Sequence, residues 1–521
     1  MSLAFDPTTI FDRSVGERSS ARFPAPTNAD AGASIPAALR RTTAPRLPQV
    51  TEPQLVRHYT RLSQRNFSID TAFYPLGSCT MKYNPKVHDA IASLPGFAHL
   101  HPAQDPADAQ GALRAMFELQ HALSTLTGLP GVTLQPSAGA HGEFTGLMLM
   151  KAYHEHRVRE GIIPSMPTHV LIPDTAHGTN PASVTMAGFA TLSVPTNDRG
   201  GMDVDAMRDL VASHSIVGLM LTNPSTTGLF EEQIAEIAEV VHEAGGLLYY
   251  DGANFNAIMG KTRPGDMGFD IVHFNVHKTF STPHGGGGPG AGPVAVRDIL
   301  VPFLPVPRVE RAQDGTYIFN ADYPLSIGRI KQFWGNVGVL VRAWAYIRTH
   351  GREGLVRATE LAVLNANYLL ARVSEAFAPS FGRRCMHEFV VSAADIKREH
   401  GVRALDIAKR LIDFGFHPPT VYFPLLIEEA LMVEPTETET RATLDHFADA
   451  LLAIVEEART NPDVVTTAPH TAPVKRLDEA RAVRDLVLRW TPPADEHAPE
   501  APATAPASAA SPATDRAVSH A

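Results

Sequence analysis

Four short and nearly unbroken apolar runs mark the middle of the chain, at residues 169–173, 216–222, 247–250 and 271–276. Each ends in polar or small residues, and helical periodicity fills the intervals. That pattern predicts parallel strands covered on both faces. A helix precedes them, carried by Leu113, Met116, Phe117, Leu119 and Leu123 and stopped by the turn 128–131, and another is expected over 231–244. A further apolar strand is expected at 293–296. Beyond about residue 325 the pattern predicts helices at 336–349 and 355–377, a strand at 388–392, a helix at 404–411 and a strand at 420–423.

These elements predict an α/β protein in two parts, a large domain with a parallel-rich sheet over 96–325 and a smaller C-terminal α/β domain over 326–490. Residues 1–95 form an N-terminal arm and loop segment. Its scattered prolines argue for extended chain, with one helix at 52–65 and an ordered polar loop at 74–86. The Ala, Pro, Ser and Thr of 491–521 offer nothing to bury and predict disorder.

Composition narrows the functional classes. With 521 residues, 44% apolar and 19% charged, the chain is globular and large enough for more than one core. A formal charge of −10 without a basic run argues against nucleic-acid binding. No apolar run reaches the roughly 20 residues that cross a bilayer. Asp6, Asp12 and Glu17 stand where a targeting peptide is acid-poor, so a cytoplasmic location is expected. Cys79 and Cys385 are the only cysteines, too few for a disulfide framework or an all-cysteine metal site.

Candidate chemistry gathers at the strand ends, where ligands sit in open α/β sheets. The run at 271–276 delivers His277 and Lys278 into a loop, followed by the glycines 285–288. A desolvated lysine becomes a neutral amine, which is the nucleophile of Schiff-base chemistry. Asp251 closes the run at 247–250 and suits a pyridinium nitrogen held protonated. Ser137, Ala138 and Gly139 open a helix, where free N–H groups favour a phosphate; Ser137 suits an ordinary helix cap equally well. His177 follows another strand end and could stack on a ring, with the small Ala253 on the opposite face. Asn223 suits a phenolic oxygen or a turn before Pro224, and His277 a phosphate contact or a core position. Together these groups match pyridoxal 5′-phosphate (PLP), a cofactor that acts as an electron sink.

Competing motifs fail. His273 and His277, in an extended strand, would lie about 13 Å apart and could not share a metal ion, so no metal is expected. The glycine run lacks the Lys-Ser/Thr ending of a phosphate-binding loop and precedes a strand rather than a helix, which excludes a dinucleotide fingerprint.

Longer segments carry a resemblance. YPLGSCTMKYNPK at 74–86, HPAQDPADAQGAL at 101–113, AGAHGE at 138–143, DTAHGTNPAS at 174–183, YYDGANFNAIMG at 249–260, HFNVHKTFSTPHGGGGPG at 273–290 and LMVEPTETE at 431–439 resemble the PLP-bearing subunit of split glycine decarboxylase. This is the P-protein family of the glycine cleavage system, in the form called glycine dehydrogenase (decarboxylating) subunit 2. The resemblance spans roughly 70–485 and implies the aspartate aminotransferase superfamily fold (PLP fold type I). It implies Lys278 as the Schiff-base lysine, with His177, Asp251 and Ala253 at the ring. It further implies glycine decarboxylation, transfer of the aminomethyl group to a lipoylated H-protein, and a companion subunit 1 in an α2β2 assembly. Cysteine desulfurases and aminotransferases would share the lysine, histidine and aspartate but not the Gly-Ser-Cys-Thr-Met-Lys loop. The loop 78–84 is a candidate for the grip on the glycine carboxylate or the lipoyl arm, and Arg329 suits such a role or a structural one equally.

Overall fold

The computed structural model describes residues 8–14, 35–42, 47–284 and 289–489. The glycine run 285–288 and the tail expected to be disordered, 491–521, lie outside the described residues, as does much of the N-terminal arm. The described residues up to Lys475 form one compact unit, and those beyond it include a short helix, Glu479–Arg484.

A seven-stranded sheet forms the centre. Its strands are β1 (Gly131–Thr133), β2 (His169–Pro173), β3 (Ala190–Val194), β4 (Ile216–Thr222), β5 (Leu247–Gly252), β6 (Ile271–Phe274) and β7 (Val294–Val296), in the spatial order β1-β7-β6-β5-β4-β2-β3. The block from β6 to β3 is parallel, and β7 runs antiparallel to both β6 and β1. A parallel neighbour requires a crossover, usually a helix. The chain after β6 instead makes the lysine-bearing turn and returns directly beside β6. Strands β4, β5 and β6 are buried along their whole length, so both faces are apolar and the runs read as continuous. β3 has exposed positions along most of its length, which explains why no apolar run announced it.

One expected boundary is corrected. The strand expected over 271–276 ends at Phe274, and Val276–Thr279 forms a single helical turn rather than a loop. Asn275 caps that turn, its carbonyl accepting the N–H groups of Lys278 (2.9 Å) and Thr279 (3.1 Å). The extended-strand geometry used to separate His273 from His277 therefore does not apply.

The helix Gly139–Arg159 packs against the sheet at very short range. A Cβ on Gly146 would fall 2.1 Å from Tyr249 Cε2, so only glycine permits this approach. The large sheet's two faces are filled by separate apolar clusters, one around Leu219, Leu248 and Val272, the other around Val217, Tyr249 and Ile271.

After the hairpin of β8 (Arg308–Arg311) and β9 (Tyr317–Asn320), the helix Val337–Val373 breaks at Gly351, where φ is 59°. The break falls between the two helices expected at 336–349 and 355–377, so the chain keeps two helical segments on either side of Gly351. A second sheet follows, of β10 (Ala378–Pro379), β11 (Phe389–Ser392), β12 (Thr420–Val421) and β13 (Ala430–Val433), in the order β10-β11-β13-β12 and antiparallel throughout. Its own core includes Phe377, Phe389, Leu431 and Phe447.

The polar segment 74–86 is ordered and tied to that second sheet. Leu76 bridges to Val433, and Thr420 Oγ1 donates to the Gly77 carbonyl at 2.9 Å. Among the described residues no helix is long and apolar enough to cross a membrane.

Candidate active site

The carboxyl ends of β2, β4, β5 and β6 converge, and each carries one polar group. Asp251, next to last in β5, is 2% exposed. Its Oδ2 accepts from Asn180 Nδ2 at 3.0 Å, its Oδ1 from the Ala253 N–H at 3.0 Å, and His273 Nε2 lies 3.4 Å from Oδ1. Burial alone would raise this carboxyl, but His273, the two N–H donors and Lys278 outweigh it and hold Asp251 below the ordinary carboxylate range. His273 is oriented in turn by Tyr249, whose hydroxyl is 2.7 Å from Nδ1.

Lys278 sits on the helical turn after β6, half-buried, and its Nζ donates to the Ser78 carbonyl at 2.7 Å. The 78–84 segment wraps this turn. Lys82, 3% exposed, donates to the Thr279 carbonyl at 2.6 Å and pairs with Glu437 at 2.7 Å. Ser281 Oγ donates to the Tyr83 carbonyl at 3.0 Å. Burial would lower Lys82, and the Glu437 carboxylate reverses that, so Lys82 stays charged. Two lysines thus meet at one turn, one anchored in an ion pair and one facing the strand ends.

His277 is held as an acceptor, its Nδ1 3.4 Å from the Ala291 N–H, with its ring edge-on to His284 at 5.9 Å. Burial, aided by the neighbouring Lys278, pushes it down to about 3. The ring is neutral at physiological pH and offers an anion an N–H, not a charge.

Ala138, rather than Ser137, is the N-cap of Gly139–Arg159, and it makes no side-chain cap bond. Ser137 Oγ instead lies 3.2 Å from His141 Nδ1, which removes the ordinary-cap reading. A helix's first-turn N–H groups lack intrahelical acceptors and favour an anion by about 0.3–1 kcal/mol. Asn223, fully buried, accepts the Glu231 N–H on Oδ1 at 2.9 Å, while its Nδ2 has no partner among the described residues. His177 is exposed, with Nδ1 3.0 Å from Thr179 Oγ1 and its ring edge-on to Phe423 at 5.6 Å. Arg329 is exposed and lies over Trp334, donating to the Gln332 carbonyl at 3.1 Å.

Several groups at this centre were not singled out from the sequence. Glu388, just before β11, and Glu434, just after β13, are both fully buried. Glu388 accepts the Ser78 N–H at 2.7 Å, and Glu434 accepts the Thr80 N–H at 3.0 Å. Asn254 and Asn256 add donors to them, each at 3.3 Å. Burial raises both carboxyls, and mutual repulsion raises Glu388 further. Ligand atoms of these two and of His387 lie within 4.8 Å of one another, but the carboxylates are already engaged by N–H donors and act as acceptors for the loop. Cys79, between Ser78 and Thr80, is free, and burial raises its thiol. The motif LMVEPTETE contains Glu434 and DTAHGTNPAS contains Asn180, so the segments were visible although the roles were not.

Two family profiles match the chain, "Glycine cleavage system P-protein" over residues 27–315 and "Glycine dehydrogenase, C-terminal domain" over 358–474. Among curated relatives, the chain is 56% identical to "Probable glycine dehydrogenase (decarboxylating) subunit 2" of Caldanaerobacter subterraneus subsp. tengcongensis, over 88% of this chain and 93% of the relative. It is 57% identical to the protein of the same description from Methylococcus capsulatus, over 93% and 99%. Among solved structures, an inhibitor-bound glycine decarboxylase (P-protein) of the glycine cleavage system superposes with a TM-score of 0.66 at 21% identity, covering 86% of this chain and 99% of that one. A glutamate decarboxylase from Lactobacillus brevis gives a TM-score of 0.61 at 14% identity, covering 81% and 96%. The fold is that of the PLP-dependent fold type I enzymes, and the chain belongs to the P-protein family of the glycine cleavage system.

Proposed function

We propose that this chain is the PLP-bearing subunit of a glycine decarboxylase. In this reading it breaks the bond between the glycine α-carbon and its carboxylate and passes the remaining aminomethyl group to the lipoyl arm of an H-protein. It works beside a companion subunit 1, in an α2β2 assembly. The observation that carries the reading is the juxtaposition of the buried Asp251 carboxylate at the end of β5 with Lys278 on the helical turn that follows the adjacent β6, in a chain of this family.

The donor set fits the cofactor. The orphaned, fully buried Asn223 Nδ2 is a hydrogen-bond donor awaiting an acceptor, as the phenolic oxygen of PLP would be. The first-turn amides from Ala138 and Gly139 onward suit its phosphate, with Ser137 and the neutral His277 as flanking donors. Asp251 suits its ring nitrogen, and Ala253 and His177 its two faces. Lys278 supplies the amine that attaches the aldehyde. Bound PLP supplies a sink for the electron pair released when the carboxylate leaves as carbon dioxide.

The chain's own residues then divide the work. Asp251, held anionic by Asn180, Ala253 N–H and His273, keeps a proton on the ring nitrogen. Lys278 would hold the cofactor through its amine, and the Ser78 carbonyl accepts from that amine. The lipoyl disulfide takes the aminomethyl carbon on one sulfur, and its other sulfur leaves as a thiol. Its nominal redox change therefore needs no nicotinamide site.

Exchange of labelled bicarbonate into glycine tests this reading, with subunit 1, PLP and lipoylated H-protein present. Exchange dependent on all of them is expected. Borohydride reduction and peptide mapping should find the pyridoxyl group on Lys278, and its absence there overturns the assignment.

A further inference from the structure

Glu143 lies one turn into the helix Gly139–Arg159 and is 4% exposed. Among the described residues it forms no ion pair with a basic side chain. A buried carboxylate is costly unless donors satisfy it, and three polar side chains do so. Thr179 Oγ1 donates to Oε1 at 2.9 Å, while Asn180 Nδ2 and Ser183 Oγ donate to Oε2 at 3.1 and 3.2 Å. All three stand on the short helix Thr179–Met186 after the His177 turn.

Two of these donors also touch the proposed ring-binding groups. The same Asn180 Nδ2 that reaches Glu143 donates to Asp251 Oδ2 at 3.0 Å. The Thr179 hydroxyl that reaches Glu143 lies 3.0 Å from His177 Nδ1. One carboxylate therefore secures both the group meant for the ring nitrogen and the group meant for the ring face. Core packing does not account for this. A buried apolar side chain would fill the space without placing a second negative charge behind Asp251.

We propose that Glu143 is a positioning residue for the cofactor ring, fixing Asp251 through Asn180 and His177 through Thr179 so that the two hold one relative geometry. The inference rests on the PLP reading above. Glu143 touches neither substrate nor cofactor. Its charge adds to that of Asp251 at the position of the ring nitrogen, and its hydrogen bonds hold the Asn180 amide where it can serve both carboxylates.

The test compares Glu143→Gln, Asn180→Ala, their double variant and Ser183→Ala with the wild-type holoenzyme. Three properties are read: PLP affinity of the apoenzyme by absorbance titration, the pH profile of the bound-cofactor absorbance, and its visible circular dichroism, which reports ring orientation. Glu143→Gln turns one acceptor into a donor facing donors. It should weaken PLP affinity roughly tenfold, the scale of one charge-assisted hydrogen bond, and shift the pH profile and dichroism. Asn180→Ala should reproduce those shifts, and the double variant should add little, because both changes break one linkage. Ser183→Ala, which removes a donor that reaches no ring group, should leave the dichroism unchanged.

Wild-type dichroism, pH profile and affinity in Glu143→Gln overturn the inference, as does full additivity in the double variant. If Glu143→Gln does not fold, Asn180→Ala and Thr179→Ala carry the test, since each keeps Glu143 and cuts one arm; unchanged dichroism in both overturns the inference. Failure of the wild-type chain to take up PLP on Lys278 overturns the PLP reading instead.

Discussion

Lys278 Nζ donates a 2.7 Å hydrogen bond to the carbonyl of Ser78, 200 residues away in sequence. The Ser78 N–H, on the opposite side of the residue, donates to buried Glu388, and the Thr80 N–H donates to buried Glu434. Ser78 and Thr80 have φ of 64° and 46°, a left-handed backbone that a non-glycine residue holds only when its surroundings enforce it. The loop is thus a plate between the lysine and two carboxyls carried by the second sheet. Lys278→Ala should abolish labelled-bicarbonate exchange and the pyridoxyl adduct while leaving the plate's acceptors in place. A thermal melt within a few degrees of wild type would separate lost chemistry from lost fold.

Asp251→Asn keeps the shape and removes the charge. The new amide can still accept from Asn180 or Ala253 N–H, so PLP should bind, whereas the ring nitrogen loses the partner that holds its proton. A preorganised charge of this kind is worth about 10²–10³ in turnover. Steady-state kcat for exchange, measured at saturating glycine and PLP, should fall by that order. Unchanged turnover would remove Asp251 from the electron-sink role.

Legibility from sequence followed burial. β4 and β5 are buried on both faces and read as unbroken apolar runs, while the mostly exposed β3 left no such trace. The turn Val276–Thr279 continued the β-like run of 271–274 without a break. Its helical closure depends on the Asn275 carbonyl and on Lys82, which reaches the Thr279 carbonyl from almost 200 residues upstream. Asp251 and Lys278 were legible because one stands at the end of its strand and the other on the turn just after its strand. Glu388 and Glu434 were not, because their roles exist only once a separate sheet sets them behind the 78–80 loop. Glu143 sat inside a quoted motif, but its meaning lies in donors from a different helix.

Gly77 is a sharp probe of that plate. A Cβ there would fall 2.2 Å from Met432 Cγ and 2.8 Å from the Met432 carbonyl oxygen. The methionine side chain can move, but the backbone carbonyl of β13 cannot without disturbing the sheet. Gly77→Ala should lose about 1–3 kcal/mol of stability, as overpacking of a tight contact does. It should also weaken PLP binding, because the displaced loop carries the Lys278 acceptor. Urea unfolding of the apoenzyme and a PLP titration measure the two effects separately.

The carboxyl pair sets a pH dependence of unusual sign. Both groups are raised above the ordinary 4.5, first by burial and, for Glu388, by Glu434. A carboxyl raised on folding binds its proton more tightly in the folded state than in the unfolded one. Stability therefore falls as pH rises from about 4.5 through the raised values, the reverse of the effect of a depressed carboxyl such as Asp251. Glu434→Gln removes one titrating partner at little steric cost. The new amide oxygen can accept the Thr80 N–H, and its nitrogen, in place of the oxygen that accepts from Asn256 Nδ2, can donate to Asn256 Oδ1 once that amide turns over, since Oδ1 has no partner among the described residues. Urea midpoints measured from about pH 5 to about pH 8 should decline for the wild-type chain and decline less for Glu434→Gln. Two parallel curves would show that the pair does not retain its proton, and the loop would then be held by ionised carboxylates balanced against Lys278.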